Sequence, residues 1–375
     1  MAGHDKINWL NELASPPASG HGLGSIFGVP QPTGLAALFA TPPASPPPPN
    51  LLEMLINAAS SDGSCRTRAS WNERFTHWER AESVTETGTI ERARTNVSAA
   101  IANNGWLTGQ RVEIEGQGSY FNRTNVRRDA DIDLRAVHPL LKIDYDENVH
   151  IPSARQILSY SDAGLSFEQI FNGLRTNLVK ELAARFGRSN VEIGKKAIRI
   201  KGITGSRAEV DVVPSIRYHH ITWLPGIGQY RTWEGVAILS TEGHWTLNFP
   251  DYHAANGRAK RARTGHQFKR VVRIFKRMQA DMILRGLLTA KVPSFLIECL
   301  VHAVDDFHFL LLVDDRYGRV QRIAREIQRL LSDPKTAAGL HEINEIKWLF
   351  HETQGWTHRD ALDFANAAVA YLGDA

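Results

Sequence analysis

Two aspartates, Asp131 and Asp133, stand one residue apart in a segment that alternates charged and apolar residues. Residues i and i+2 of a β-strand share one face, so both carboxylates are expected to converge on one spot. Like charges that close repel each other unless a cation lies between them, and oxygen ligands suit Mg²⁺ or Mn²⁺. A third carboxylate, Asp211, lies in a Val-rich segment that is predicted to be a strand closed by Pro214. Three carboxylates would hold two ions, which is the arrangement that activates an attacking hydroxyl and stabilises the leaving oxygen in phosphoryl transfer.

An Asp-x-Asp pair alone is equally typical of an ordinary half-exposed strand, but its surroundings favour chemistry. Residues 116–119, Gly-Gln-Gly-Ser, follow a strand predicted over 111–115. Glycine lets backbone N–H groups and the Ser119 hydroxyl approach a phosphate. We therefore predict nucleotide contacts from Gln117, Gly118 and Ser119, beside metal ligands on the next strand.

A basic run extends over residues 258–277, with nine Lys or Arg residues and no Asp or Glu. Such a field attracts polyanions, although a solvated helix face is an equally ordinary explanation. Its first part, residues 258–263, is predicted to be a Gly/Ala-rich loop without fixed geometry. Lys269, Arg273 and Lys276 are spaced i, i+4, i+7, so they share one side of a predicted helix and could approach a triphosphate together.

Together these motifs resemble the polymerase-β-like nucleotidyltransferase superfamily and, within it, the bacterial CD-NTases (cGAS/DncV-like nucleotidyltransferases), which synthesise cyclic oligonucleotides. The resemblance covers about residues 87 to 310. It is carried by residues 118–126, 129–134 and 210–214, by Asn248-Phe249-Pro250, by the basic helix, and by residues 292–298.

This resemblance implies an α+β fold, with a polymerase-β-like nucleotidyltransferase lobe on a mixed β-sheet and a C-terminal helical lobe. It implies that Lys276 neutralises a donor triphosphate, that Ser294 hydrogen-bonds it, and that Phe295 stacks on a base where the family often has tyrosine. The implied activity joins NTPs, with purines expected, into a cyclic di- or trinucleotide second messenger and releases pyrophosphate. The implied setting is anti-phage (CBASS-type) signalling with two Mg²⁺ or Mn²⁺ ions, an accessory regulatory protein and a downstream effector, and without a need for nucleic acid.

Other activities stay open, because the same three carboxylates serve single nucleotide addition equally well. One alternative adds NMP to an RNA or to a small-molecule acceptor. Another is an RNA-activated linear oligonucleotide synthase, for which the basic run would be the RNA surface. A non-enzymatic nucleotide-binding module is disfavoured, because binding alone gives no reason to keep a full set of metal ligands.

Composition divides the chain of 375 residues into three parts. Residues 1–50 hold ten of the seventeen prolines and are predicted to be a disordered leader, since they cannot bury enough apolar area to fold. Residues 51–245 are predicted to form the catalytic lobe, with a spine helix over 87–103. Residues 246–375 are predicted to be a helical lobe that completes the nucleotide pocket.

Periodicity adds further elements. It predicts a helix capped by Ser166 and running to Phe186, strands over 191–196, 197–203, 208–213 and 234–240, and helices from Gly265 to the end.

Several classes of function are disfavoured. With Cys65 and Cys299 as the only cysteines, the chain has neither a disulfide framework nor a Cys-rich zinc site. The sequence contains no P-loop motif, and no apolar stretch approaches the ~20 residues that span a bilayer, so a cytoplasmic protein without a membrane partner is expected. The fifteen histidines are scattered and none is predicted to be catalytic, while Trp223, Trp233 and Trp245 are predicted to be core residues.

Overall fold

The structure, a computed structural model, describes residues 67–81, 84–126, 132–161, 164–203, 207–311, 315–352 and 354–373. The predicted α+β class is confirmed, because a mixed seven-stranded sheet is followed by a helical C-terminal part. The strands are β1 (Glu113–Gln117), β2 (Ile132–Tyr145), β3 (Val191–Ile193), β4 (Ile198–Ile200), β5 (Val210–Leu224), β6 (Gln229–Leu239) and β7 (Trp245–Asn248).

Helices precede, interrupt and follow the sheet. They are α1 (Arg68–Trp78), α2 (Val84–Ala102), α3 (Gly105–Gly109), α4 (Gly118–Phe121), α5 (Ile151–Ile157), α6 (Phe167–Phe186), α7 (Pro250–Arg263), α8 (Gln267–Leu284), α9 (Ser294–Ala303), α10 (Phe307–Leu310), α11 (Arg316–Ser332), α12 (Pro334–Ala338) and α13 (His358–Leu372). The predicted spine helix is found as α2, and Ser166 caps α6 by accepting from the Gln169 N–H.

The two long strands β2 and β5 form the centre of the sheet and run parallel. The β1 strand pairs antiparallel with β2, and the β3–β4 hairpin pairs with the start of β5. The β6 strand pairs antiparallel with the rest of β5, and β7 pairs with β6. The carboxylate-bearing segments of β2 and β5 are therefore flanked by β1 on one side and by β4 on the other.

The prediction that Pro214 closes its strand was wrong, because β5 continues to Leu224. Proline lacks an N–H, so within a sheet it needs a position where no partner strand accepts from it. Pro214 has such a position, since β4 pairs with β5 only as far as Val212 and β6 begins to pair at Ile216.

The prediction of a loop over residues 258–263 was also wrong, because these residues form the end of α7. Pro250 stands in the first turn of this helix, where its missing N–H costs nothing. Alanine and arginine are strong helix formers, and the single Gly257 does not outweigh them. The buried Lys260 further fixes the helix, since its Nζ donates to Val304 O at 2.7 Å and to Asp306 Oδ1 at 2.8 Å.

Two large hydrophobic clusters form most of the interior of the described residues, and a third, small one contains Val149, Ala154 and Ile221. One of the large clusters packs α2 and α6 against the sheet, with Val97, Phe171 and Leu174 fully buried. The other joins α8, α9, α11 and α13, and α1 contributes Trp71 and Phe75 to it. The division into lobes at residue 245 stays a prediction, and the predicted leader, residues 1–50, lies outside the described residues.

In the described part of the chain, no helix combines the length and the apolar character that a membrane crossing requires.

Replacing His220 with glutamine should make the protein less sensitive to mild acid. His220 lies in β5, is 2% exposed and has its Nε2 3.3 Å from Asp146 Oδ1. Burial, and then the positive charge of Lys142, lowers the pKa of His220 to about 3. The unfolded chain takes up this proton near pH 6.5, so stability falls as the pH drops from 6.5 towards 3, by about 1.4 kcal/mol per pH unit.

In denaturant titrations, the free energy of unfolding should therefore fall between pH 7 and pH 5 by about 2 kcal/mol more in the parent protein than in His220→Gln. The exposed His150 provides the control, and His150→Gln should keep the parental pH slope. A parental slope in His220→Gln would show that His220 does not stay neutral in the folded state.

Candidate active site

Asp133 and Asp211 lie side by side at the centre of the sheet. They are direct partners in the parallel register of β2 with β5, and neighbouring strands are about 4.8 Å apart. Paired positions of adjacent strands point to the same face, so the two carboxylates share one face. Asp131, the third predicted ligand, lies outside the described residues.

The turn before β2 passes directly over the Asp133 carboxylate. Gln117 pairs with Asp133 in the β1–β2 register, and Gly118 then reverses the chain with φ +80°. A Cβ on Gly118 would overlap the Asp133 carboxylate, so any larger residue would displace that carboxylate or the turn. The chain differs slightly from the predicted turn, since Gly116 and Gln117 complete β1 and Gly118 and Ser119 begin α4.

The donor set suits a hard divalent cation, because carboxylate oxygens are the ligands that Mg²⁺ and Mn²⁺ prefer. Within the described residues there is no group of three or more His, Cys, Asp or Glu side chains that could hold a metal ion. Asp133 and Asp211 are thus a pair of candidate ligands, and Asp131 would be the third.

Arg199 is the residue of β4 that pairs with Asp211. Its Nε lies 3.1 Å from Asp211 Oδ1 and 3.1 Å from Glu209 Oε1. A guanidinium at this distance partly neutralises Asp211 and competes with any cation for its oxygen. No sequence pattern predicts this contact, because the two residues come together only through strand pairing.

A cavity of about 920 Å³ opens beside Asp133. The sheet and the turn form one wall, and α7 and α9 with residues 342–356 form the others. Its lining includes Gly116, Gln117, Gly118, Phe121, Asn122, Asp133, Lys196, Trp245, Asn248, His253, Phe295, Glu298, Glu342, Asn344, Lys347, Trp348, His351, Gln354 and Trp356. Of the predicted site residues that the structure describes, Ser119, Asp211, Lys269, Arg273, Lys276 and Ser294 lie outside this lining.

Aromatic side chains gather in the cavity around Phe295. Its ring stacks on His253, with centroids 5.4 Å apart, and lies 5.9 Å from the Trp356 ring. Trp245 was predicted to be a core residue, but it is 37% exposed and lines the cavity, because β7 is at the end of the sheet. Trp233 is buried as predicted.

The three basic residues predicted to approach a triphosphate share α8, but all are buried. Lys276 Nζ lies 2.6 Å from Glu298 Oε1 and 3.0 Å from Thr124 O. Arg273 donates to Arg123 O at 2.6 Å and to Glu79 O at 2.8 Å. These cations therefore already have partners within the protein, and their contact with a triphosphate stays a prediction.

Lys269 differs from its two neighbours on α8. It is 7% exposed, and it has no hydrogen-bond or ion-pair partner among the described residues. Burial, and then the positive charge of Arg261, lowers the pKa of its ammonium to about 8, while Glu298 opposes the shift. Lys269 is therefore mostly charged at neutral pH, and an anion would stabilise its charge.

Ser119 and Ser294 both stand at the start of a helix. Ser119 belongs to the short α4, and Ser294 is the first residue of α9, directly before Phe295. Ser294 is partly exposed, and its predicted contact with a nucleotide stays a prediction.

Sequence reasoning missed the C-terminal wall of the cavity. Glu342 accepts hydrogen bonds from Asn344 Nδ2 and Gln354 Nε2, both at 2.5 Å. Burial, and then the charge of Lys347, lowers the pKa of His351 to about 4, so this ring is neutral at physiological pH. The prediction of helices from Gly265 to the end was wrong for this segment, because the described residues between α12 and α13 form turns and bends instead. The histidines His253 and His351 carried no motif.

Comparisons with known proteins identify the family of this chain. The family model for the cGAS/DncV-like nucleotidyltransferase C-terminal helical domain matches residues 255–373. A cyclic dipyrimidine nucleotide synthase CdnE of Legionella pneumophila is 30% identical over 311 residues, which cover 80% of this chain and 98% of that protein. A cyclic dipurine nucleotide synthase of Elizabethkingia meningoseptica is 29% identical over 79% of this chain and 96% of that protein.

A solved structure gives the same result. The Elizabethkingia meningoseptica CdnE cyclic dinucleotide synthase with GTP and Apcpp has a TM-score of 0.62 and 27% identity, over 81% of this chain and 99% of that chain. The fold and the comparisons thus define a nucleotidyltransferase, a class of enzyme that generally depends on divalent metal. Within this class, the chain belongs to the cGAS/DncV-like nucleotidyltransferases, as the sequence predicted.

Replacing Gly118 with alanine should abolish most activity and leave the fold intact. The new methyl group would displace the Asp133 carboxylate, and a shift of about 1 Å at a catalytic group can cost about 100-fold in rate. Pyrophosphate release from NTPs measures the effect. Gly228 has φ +64° but open space at its Cβ, so Gly228→Ala carries the same backbone strain and should stay active; equal activity of both variants would contradict this role of Gly118.

Replacing Arg199 with alanine should lower the Mn²⁺ concentration that gives half-maximal activity. Arg199 is 48% exposed, and exposed ion pairs are worth about 0.2–1 kcal/mol, so the expected change is about 1.4- to fivefold. Lys201→Ala is the matched control, since Lys201 is 45% exposed and pairs with Glu192 instead. A higher metal requirement in Arg199→Ala would mean that Arg199 assists metal binding.

Proposed function

We propose that this enzyme joins NTPs into a cyclic di- or trinucleotide and releases pyrophosphate. The observation that carries the proposal is the pairing of Asp133 with Asp211 beside a cavity of about 920 Å³. Ligand sites in proteins measure about 300–1,000 Å³, so this cavity lies near the upper end of that range. Its relatives include synthases of cyclic dinucleotides.

Asp131, Asp133 and Asp211 are the proposed metal ligands. Two Mg²⁺ or Mn²⁺ ions bound there would activate the attacking hydroxyl and neutralise charge on the phosphates. The protein itself contributes position and charge. The β2–β5 register fixes where the carboxylates stand, and Asp211 orients the acceptor ribose hydroxyl for in-line attack on the α-phosphate.

The donor nucleotide would lie between the sheet and the helices. The backbone of Gln117 and Gly118 and the hydroxyl of Ser119 face its phosphates. Lys269 supplies a positive charge that lacks an internal partner among the described residues, and Ser294 a hydroxyl at the start of α9. Phe295 offers an apolar ring on which a base can stack, a contact worth about 1–3 kcal/mol.

Similarity does not decide which bases enter the product. Two relatives of almost equal identity are named for different bases, one a dipyrimidine and the other a dipurine synthase. We keep purines as the expected substrates, on the resemblance alone. A hydrogen-bonding residue of the cavity must make the choice, because stacking on Phe295 is tolerant of base identity.

We further propose that residues 51–245 act as the catalytic lobe and residues 246–375 as the helical lobe, since the cavity lies between the sheet and α7, α9 and residues 342–356. The product would act in anti-phage (CBASS-type) signalling, where a downstream effector recognises it and an accessory regulatory protein controls its synthesis.

The product is tested by incubating the protein with the four NTPs and Mg²⁺ or Mn²⁺ in the absence of nucleic acid. Phosphatase treatment removes linear species with terminal phosphates, and mass spectrometry then identifies what is left. We expect a phosphatase-resistant product that contains two or three nucleotides. The controls are Asp131→Asn/Asp133→Asn and Asp211→Asn, which should lower product by at least about 100-fold, because the metal ligands are lost.

Other outcomes would identify the alternatives. Linear products that appear only with duplex RNA, and that decline with salt, would indicate an RNA-activated linear synthase. Transfer of NMP only after addition of an RNA or a small-molecule acceptor would indicate an acceptor-specific enzyme. Unchanged activity in the aspartate variants would place the chemistry elsewhere.

A further inference from the structure

A buried ion pair connects the helical part of the protein to the turn beside Asp133. Lys276 of α8 and Glu298 of α9 have side chains only 2% and 4% exposed, and their charged atoms lie 2.6 Å apart. The buried Thr124 donates its hydroxyl to the same Glu298 oxygen at 2.8 Å. We call Thr124, Lys276 and Glu298 the buried clamp.

Hydrogen bonds connect the buried clamp to Ser119. The Thr124 N–H donates to Ser119 O at 2.9 Å, and the Thr124 hydroxyl lies 3.2 Å from the same carbonyl oxygen. Thr124 therefore joins Glu298 to the backbone of Ser119, in the turn that is proposed to face the phosphates. On its other side the turn approaches Asp133 so closely that a Cβ at Gly118 would overlap the carboxylate.

The backbone just before Thr124 is held in an uncommon conformation. Arg123 has φ +55° although it is not glycine, and such a residue persists only where its surroundings fix it. Two side chains of α8 do so, since Arg273 donates to Arg123 O at 2.6 Å and Lys276 donates to Thr124 O at 3.0 Å. Arg273 and Lys276 therefore each bind a backbone carbonyl oxygen of residues 123–124.

The electrostatics fix the direction of the Thr124 hydrogen bond. Burial alone would raise the pKa of Glu298, but the charge of Lys276 and the His253 ring, whose Nε2 lies 3.6 Å from Glu298 Oε2, lower it to about 2. Glu298 is thus a carboxylate that only accepts, so the Thr124 hydroxyl must donate to it. If Lys276 moved away, the buried carboxylate of Glu298 would lose its paired charge, which is strongly destabilising.

We infer that Glu298 is a positioning residue that acts through Thr124 to hold Ser119 and Gly118 against Asp133, and that Lys276 serves this clamp. The inference rests on the proposed function only in that the enzyme must catalyse nucleotidyl transfer; it does not depend on which product is formed. On this inference, Lys276 and Arg273 hold the turn, and Lys269 is the cation of α8 that would contact the nucleotide.

The first test removes one hydroxyl from the clamp. Thr124→Val is nearly isosteric and should lower kcat for pyrophosphate release by at least about tenfold, since small displacements at a catalytic group are costly. The affinity for a non-hydrolysable NTP with Mn²⁺ should change less than about threefold, because the triphosphate contacts remain. Thr124→Ser keeps the hydroxyl and should restore most of the parental kcat.

The matched control is Thr222→Val. Thr222 is also buried in the sheet, but its hydroxyl has no hydrogen-bond partner among the described residues. It lies at the opposite end of β5 from Asp211, so its replacement should leave kcat and nucleotide affinity unchanged.

A double-mutant comparison tests whether Glu298 acts through Thr124. Glu298→Gln and Thr124→Val should each lower kcat, and the double variant should lose no more than about threefold beyond the worse single variant. Multiplied effects would mean that the two residues act independently, and would overturn the inference.

The rival role of Lys276 as a triphosphate ligand gives a different pattern. It requires that Lys276→Met weaken binding of the NTP analogue by at least about tenfold while Thr124→Val stays fully active. Lowered thermal stability with parental kcat in Thr124→Val would reduce the clamp to a purely structural contact. Either result overturns the inference.

Hydrogen exchange supplies a measurement that needs neither activity nor a known product. In the metal-free parent protein, the amide of Thr124 should be protected, and Thr124→Val should raise exchange over residues 118–124 while α8 stays protected. Unchanged exchange over that segment would contradict the clamp. If the parent protein made no cyclic product, the proposed function would be contradicted, whereas the hydrogen-exchange result would still test the clamp.

Discussion

The parallel pairing of β2 with β5 is the constraint on which the site depends. It fixes Asp133 opposite Asp211, and a shift of one residue would turn one of the two carboxylates to the other face of the sheet. The flanking strands extend the constraint, since β1 places Gln117 against Asp133 and β4 places Arg199 against Asp211. The two strands that carry the aspartates, β2 and β5, are thereby each held between two others, so the site is built on rigid elements.

The helical part meets this sheet through polar contacts as well as apolar ones. Lys276 and Glu298 are charged and almost fully buried, which is costly unless both are paired and hydrogen-bonded. They satisfy that condition by contacting Thr124 and its backbone. The two buried charges pair with each other, and the turn after β1 supplies the further hydrogen bonds that they need, which couples the turn to the helices.

The cavity combines contributions of different chemical character. The sheet contributes carboxylate and backbone groups, α9 contributes the aromatic ring of Phe295, and the segment from Glu342 to Trp356 contributes amide, imidazole and indole groups. Stacking surfaces accept any base, whereas hydrogen-bonding groups discriminate between bases. Relatives of similar identity that make dipyrimidine or dipurine products fit this division, because a few polar side chains can differ while the sheet and the stacking ring stay the same.

Local pattern determined much of this protein. Alternation around Asp133 and Asp211, the Gly-Gln-Gly-Ser segment and the helical spacing of Lys269, Arg273 and Lys276 predicted metal-dependent phosphoryl transfer, because periodicity and glycine act within a few residues. The resemblance of these motifs to a known family implied the class of fold. Tertiary structure decided what those side chains contact. The partners of Lys276 and Arg273, the ion pair of Arg199 with Asp211, and the cavity wall around His351 join residues far apart in the chain, and no periodicity encodes such contacts. The continuation of β5 past Pro214 has the same origin, since it depends on which neighbouring strand is present at that position.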